Sequence, residues 1–465
     1  MASAAFKSAF WYTGSNLLVK AVGFITIPIF TRLLTHAEFG VYNNYLSWLA
    51  VMTMVVTLSL DATLISAKRD YPNDLRNYTF SMVVLSQISA VVWLVLSNSF
   101  MSLFEVVSAL DAIYVNCIFV YLLFLPAITL IQTWERFVYR YKVTVALSLT
   151  MSIGIALLSV ALAFLMPNHL EGVIVGRTIP VVLLGGSIFL WFIAKKSAIN
   201  VSYWRYALPI AWPFIPHLLA MTLLGAMNKI FIIQMCGADA NALYSLAYSC
   251  GLIVALFVTS LNSAFSPWLG DKLTEGNYDR IRRVSRPYVA LFAVFAFIST
   301  LIAPEVLLLM GGASYLPAVY VIPPIAMGCV FQFVYCMYVN VEQYEKKTKG
   351  MALASLSAAA LNALLDIIFI PMFGYMAAAW ATAISYGWLM IAHMLLVRKL
   401  GFSCVYDGKF NIVFSMLTCV CIGACSLVYS FPILKWSLLL VTIFLGFVIA
   451  WKKRQQILTI IKRDE

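Results

Sequence analysis

The chain has 465 residues, 63% of them hydrophobic and only 11% charged, with a formal net charge of +12. Soluble domains carry about a quarter charged residues, so the composition excludes one and fits an all-α polytopic membrane protein. A β-barrel is excluded as well, because its alternating segments run to about ten residues, whereas these apolar runs are long and continuous.

Residues 1–7 do not read as a cleavable signal, since the apolar run behind them is too long for an h-region and lacks a small-residue cleavage site. Fourteen spans are predicted, at 8–33, 41–66, 78–98, 112–131, 144–166, 172–194, 208–235, 242–268, 287–310, 318–341, 352–371, 375–397, 411–431 and 434–451. The first carries Asn16 and Lys20 near its middle and Pro28 and Arg32 towards its end. Thr13, Asn16, Lys20 and Gly23 share one helical face; Leu18, Val22, Ile25 and Ile29 share the opposite, apolar one. A lysine at mid-membrane costs about 2.5–3.5 kcal/mol, so Lys20 is expected to face water or a partner in a polar cavity. The alternative for Lys20 is that it neutralises a neighbouring carboxylate.

Alternate loops hold the basic residues, among them Lys68, Arg69, Arg136, Arg140, Lys195, Lys196, Arg282, Arg283, Lys346, Lys347, Arg398 and Lys399. Of the 31 lysines and arginines, only Lys20, Arg32, Arg177, Lys229 and Lys435 fall elsewhere. The positive-inside rule then puts both termini in the cytoplasm. The net charge faces anionic headgroups and not nucleic acid, for which no role is expected.

An internal repeat appears when Gly40-Val41-Tyr42-Asn43 and Ser47 are set against Ala242-Leu243-Tyr244-Ser245 and Ser249. Six spans separate the copies, an even number, so they run parallel. The organisation expected is two pseudo-symmetric six-helix lobes, 1–200 and 201–400, with an additional helix pair and basic tail at 401–465. Lobes so related commonly enclose a cavity that opens alternately to each side.

Span 7 carries Pro209, Pro213 and Pro216, then His217, Asn228 and Lys229. The prolines alone fit an ordinary kinked helix; with His217 and Lys229 a cavity wall is the better reading. Span 11 sets Ser355, Asn362 and Asp366 on one face. A carboxylate there binds a cation, carries a proton or pairs with a cavity lysine. Asp61 reads first as a salt bridge or cap near Lys68 and Arg69, and second as an ion site. Arg177 either snorkels to the outer interface or lines the cavity. Nine cysteines, mostly inside apolar runs and without a C-x-x-C pair, read as small hydrophobes,. No catalytic, metal or cofactor site is expected.

The stretch Pro28-Ile-Phe-Thr-Arg32-Leu-Leu-Thr-His-Ala-Glu-Phe-Gly40-Val-Tyr42 resembles the Wzx-type O-antigen flippases, the polysaccharide-transport branch of the MOP superfamily. The similarity continues through Leu58-Ser-Leu-Asp61-Ala, Gly225-Ala-Met-Asn228-Lys229-Ile, Leu361-Asn362-Ala-Leu-Leu-Asp366 and Gly374-Tyr-Met-Ala-Ala-Ala-Trp-Ala-Thr382. Relatives often have an Asp-Arg pair where this chain has Asn228-Lys229, a departure that keeps the cation and removes the carboxylate. The resemblance implies a MATE/MOP-like fold and the flipping of undecaprenyl-pyrophosphate-linked oligosaccharide across the bacterial inner membrane. It also implies H+ or Na+ as coupling ion, and a polysaccharide polymerase and chain-length protein as partners.

The physics of that task is consistent. A repeat unit with about ten hydroxyls pays roughly 2 kcal/mol or more for each one dragged unpaired through hydrocarbon, so a polar cavity is needed. A cationic lining at Asn16, Lys20, Arg32, Arg177, His217, Asn228 and Lys229 suits the pyrophosphate, with Asp366, Asn362 and Asp61 as the ion or proton set. The closest rivals are a lipid II-type flippase and a MATE-like cation-coupled antiporter, though the latter favours acidic cavities. A membrane polymerase or glycosyltransferase needs a longer outer loop than any here.

Overall fold

The computed structural model describes residues 2–138, 140–212, 214–345 and 348–462, apart from the side chains of 2–10, 12, 13, 214, 216, 217, 220, 221, 224, 252, 264, 348, 349, 447 and 449–462. Among the described residues eleven helices are long and apolar enough to cross a membrane, and a bent pair makes a twelfth. The other two expected spans, 208–235 and 434–451, correspond to Phe214–Cys236 and to a helix from Pro432 whose apolar part is Pro432–Gly446. Large apolar side chains such as Leu157, Phe164, Leu165, Leu183 and Ile433 point outward, as hydrocarbon requires of a surface it solvates.

The chain divides into two compact units, 1–243 and 244–465. The first holds α1 (Ala2–Leu33), α2 (His36–Val56), α3 (Leu64–Asp70), α4 (Leu75–Ser99), α5 (Met101–Ser108), α6 (Ala112–Phe137), α7 (Tyr141–Leu165), α8 (His169–Ala194), α9 (Val201–Ala211) and α10 (Phe214–Cys236). Here α1 packs on α7, α7 on α8, α8 on α6, α6 on α4, and α10 on α2. The turn from α1 into α2 is a capping box, in which Thr35 Oγ1 accepts from Glu38 N at 3.2 Å and Glu38 Oε2 from Thr35 N at 2.8 Å. Two orphan donors at a helix start are satisfied reciprocally.

Three predicted spans are interrupted. Span 2, expected to run through 41–66, breaks at Leu58 and Ser59, which take left-handed φ values of 55° and 49°. The axis bends by 43° there. Each non-glycine residue in that region costs about 1–2 kcal/mol, and Ser86 Oγ donates to the Thr57 carbonyl at 3.2 Å beside the break. Pro209, expected inside span 7, lies in the separate helix α9, which ends before α10 begins. Tyr206 on α9 donates to Asp70 at 2.6 Å, and Trp204 Nε1 to the Ser81 carbonyl at 2.9 Å, tying α9 to the end of α3 and the second turn of α4. Span 9 breaks near Ile302.

The second unit holds most of α11 (Ala238–Thr274), then α12 (Tyr278–Leu301), α13 (Ala303–Gly311), α14 (Ile322–Tyr344), α15 (Thr348–Phe373), α16 (Tyr375–Lys399), α17 (Gly408–Val428) and α18 (Pro432–Lys462). Helix α14 is its centre, largely buried and packed on α12, α16 and α17. Phe292 of α12 stacks on Phe333 of α14 with centroids 4.4 Å apart. The 401–407 loop is pinned to α12 by Arg286 paired with Asp407 and by Arg282 donating to the Cys404 carbonyl at 2.6 Å.

Candidate functional site

Helix α7 buries little of itself, with Thr144, Ser159 and Ala163 as its buried residues, so what holds it must be close backbone contact. Gly172 and Gly176 of α8 supply it. A Cβ on Gly172 would lie 2.4 Å from the Leu162 carbonyl oxygen, and one on Gly176 2.4 Å from that of Leu158. Where hydrocarbon surrounds helices, small residues four apart drive such packing, because van der Waals contact replaces the absent hydrophobic force.

The next residue after this seam is Arg177. Its side chain turns inward, with Nη1 donating to Tyr42 Oη at 3.4 Å and the guanidinium 6.0 Å from the Tyr121 ring. Arg177 Nε, buried, has no hydrogen-bond partner among the described residues. Beside it opens a cavity of about 330 Å³ walled by α1, α2, α6, α7 and α8. Its polar lining is Thr26, Tyr42, Gln132, Ser148, Ser152 and Arg177, and Gln132 Nε2 donates to Ser148 Oγ at 3.2 Å. A guanidinium with a spare donor, flanked by hydroxyls and an amide, can grip anionic oxygens and leave hydroxyl-rich neighbours paired.

The other expected site residues scatter. Asn16, Lys20 and Arg32 on α1 are exposed, and α1 presents Val19, Val22, Gly23, Thr26 and Phe30 to this cavity. Val22, expected on the apolar face, therefore lines it, whereas Asn16 and Lys20 do not. Arg32 donates to the Pro28 carbonyl at 2.8 Å. Lys229 on α10 meets α2, with Nζ 3.4 Å from Asn43 Oδ1, and its neighbour Asn228 is buried. The His217 side chain lies outside the described residues. Asp61 is exposed in the 3-10 turn after the span 2 break.

In the second unit Asn362 and Asp366, one helical turn apart on α15, are both fully buried. Neither carboxylate oxygen of Asp366 and neither amide atom of Asn362 has a hydrogen-bond partner among the described residues. The expected pairing of Asp366 with a lysine is thus not found among them. Buried polar groups left this way are costly and mark function more often than packing.

Sequence reasoning passed over Tyr42, Tyr121, Gln132, Ser148 and Ser152. Their signal was available as polar side chains inside apolar spans, though nothing in one span says which distant span it faces. It also passed over Glu342 and His393, which share a 2.8 Å hydrogen bond at 1% and 2% side-chain exposure.

The apolar helices and an arginine-lined cavity among them define a multi-pass helical membrane protein. Among solved structures, that of the lipid II flippase MurJ in an inward closed conformation superposes with a TM-score of 0.71 at 15% identity, over 96% of this chain and 99% of that one. An inward-facing multidrug resistance MATE family transporter of the MOP superfamily gives 0.58 at 13% identity, over 83% and 98%. A protein of the Lsg locus of Haemophilus influenzae is 22% identical across 79% of this chain and 94% of its own length. The sequence model of the polysaccharide biosynthesis protein family matches residues 5–272, and that of the MatE family residues 213–368. The chain belongs to the polysaccharide biosynthesis protein family.

Proposed function

We propose that the protein is a flippase that moves undecaprenyl-pyrophosphate-linked oligosaccharide, an O-antigen or similar surface repeat unit, from the cytoplasmic to the periplasmic leaflet of the bacterial inner membrane. The observation that carries this reading is the cavity of the first unit, where Arg177 is the one charged lining residue among those described. An arginine at that depth costs about 2.5–3.5 kcal/mol, and an anionic headgroup repays it with charge-assisted hydrogen bonds. The same lining argues against a cation-exporting antiporter, since a cationic substrate would meet a like charge.

With both termini cytoplasmic and two six-helix lobes at 1–200 and 201–400, Lys20 lies in the inner half of the membrane and Arg32, Arg177 and Lys229 in the outer half. The pyrophosphate passes outward along that series by alternating access. With the inside negative, each negative charge carried out gains about 2.3 kcal/mol per 100 mV. Asp366 with Asn362 is the set for H+ or Na+ coupling, and Asp61 is secondary to it. A polymerase and a chain-length protein act downstream.

The test is a deletion strain complemented with variants, read as surface polysaccharide and as undecaprenyl-linked intermediates by mass spectrometry. Arg177→Ala and Lys20→Ala should lose most surface polymer and accumulate the lipid-linked intermediate, while Arg177→Lys and Lys20→Arg keep part. Normal polymer from Arg177→Ala at equal protein level refutes the reading. Rescue of a strain depleted of its lipid II flippase would move the substrate to lipid II, the fold neighbour's named cargo.

A further inference from the structure

A second cleft lies wholly within the second unit, between α11 and α14, with a volume of about 390 Å³. It is walled on one side by Asn262, Ser263, Ser266 and Pro267, and on the other by Cys336, Val339, Asn340 and Gln343. The α14 residues fall at spacings of three and four, so one helical face supplies that wall. The volume is within the range of small-molecule sites. Among the described residues no lining side chain carries a charge, and none is aromatic.

Its polar groups are arranged to bind. Asn340 Nδ2 donates to Asn262 Oδ1 at 2.8 Å, which fixes both amides and leaves the Asn262 amino group as donor and the Asn340 oxygen as acceptor. Ser263 Oγ donates back to the Thr259 carbonyl at 2.8 Å, so its lone pairs remain available. Pro267 has no N–H and cannot close the helical bond to the Ser263 carbonyl four residues earlier. The described lining of this hollow therefore offers both donors and acceptors and no charge.

We infer that this cleft binds the neutral saccharide part of the lipid-linked substrate, an inference that rests on the flippase reading. A sugar hydroxyl both donates and accepts, and paired amides with a free carbonyl meet both needs without the charge that a phosphate would require. With no aromatic side chain among the described lining residues, a nucleobase or other flat ring is disfavoured,. The cleft sits towards the C-terminal ends of both helices, α11 ending at Thr274 and α14 at Tyr344. In the proposed topology those ends face the cytoplasm, where the substrate enters.

The experiment uses the full-length protein in lipid nanodiscs and two probes: undecaprenyl-linked saccharide extracted from a strain lacking the protein, and sugar-free undecaprenyl pyrophosphate. Asn262→Leu with Asn340→Leu removes both partners of one hydrogen bond, so neither amide is orphaned and folding is spared. This double variant should bind the saccharide lipid about tenfold more weakly or worse, with affinity for undecaprenyl pyrophosphate unchanged. Independently, alkylation at the native Cys336, read by peptide mass spectrometry, should be slowed by the saccharide lipid and not by the sugar-free one. Equal weakening of both lipids, or an unprotected Cys336 in wild-type protein that binds the saccharide lipid, overturns the cleft and leaves the flippase intact. A wild-type protein that binds neither lipid overturns both.

Discussion

Replacing Gly176 by alanine isolates the seam that carries Arg177. The added Cβ would stand 2.4 Å from the Leu158 carbonyl oxygen and 2.5 Å from Ser159 Cα, where ordinary contact begins at 3.4 Å. Both neighbours are backbone, so neither can swing aside, and α7 and α8 must part by about 1 Å. Overpacking of this kind costs about 1–3 kcal/mol, offset by about 0.5–1 kcal/mol from replacing glycine in a helix. The net loss is about 0–2.5 kcal/mol, centred near 1, or a few degrees of melting temperature at about 2–4 °C per kcal/mol. The separation also acts on Arg177, whose bond to Tyr42 at 3.4 Å is already near its geometric limit,. Thermal melting of purified protein should show the loss, and complemented polysaccharide export should fall with it. Gly186→Ala is the control, since its Cβ meets only the Phe124 ring at 3.7 Å and should be neutral or stabilising. If Gly176→Ala melts and transports like wild type, or if Gly186→Ala is equally damaging, the close-contact account of α7 and α8 fails.

His393→Leu leaves the buried Glu342 carboxylate, whose Oε2 has no partner among the described residues, without its Oε1 bond as well. That should cost about 3–5 kcal/mol, visible as lost protein at the membrane, while His393→Gln keeps a donor and recovers much of it. Asp366→Asn should weaken ion-dependent transport with insertion and yield unchanged; undiminished ion dependence would remove Asp366 from the coupling set. Asp407 caps α17 by accepting from Phe410 N at 3.1 Å and pairs with Arg286, and these hold its carboxyl below its ordinary 3.8. A depressed carboxylate stabilises the fold above the unfolded value and loses that contribution as pH falls through the folded one. Wild type should therefore lose stability relative to Asp407→Ala below about pH 4, and the alanine variant should cost about 1 kcal/mol at neutral pH as a lost cap.

Much of the fold was legible because the bilayer is a severe solvent. Hydrocarbon admits helices of a fixed length with internally satisfied backbones, so hydropathy alone locates α4, α6, α7, α8, α15 and α16 to within a few residues. The charges within the spans were equally plain, since Lys20, Arg177, Lys229 and Asp366 stand out against their surroundings. Their company was not. In water, amphipathicity tells which face of a helix turns inward, but here the lipid and the protein interior are both apolar. Nothing in α1 says that Val22 and not Lys20 borders the cavity, and nothing in α8 says that Arg177 turns to Tyr42 instead of the interface. The close approach at Gly172 and Gly176, next to Arg177, appears only once α7 and α8 are packed, and the break at Leu58 and Ser59 is one that no glycine or proline announces. The meetings of Glu342 with His393 and of Asn262 with Asn340 join residues 51 and 78 positions apart. Van der Waals fit between helices chooses such partners, and that fit exists only once the helices are packed.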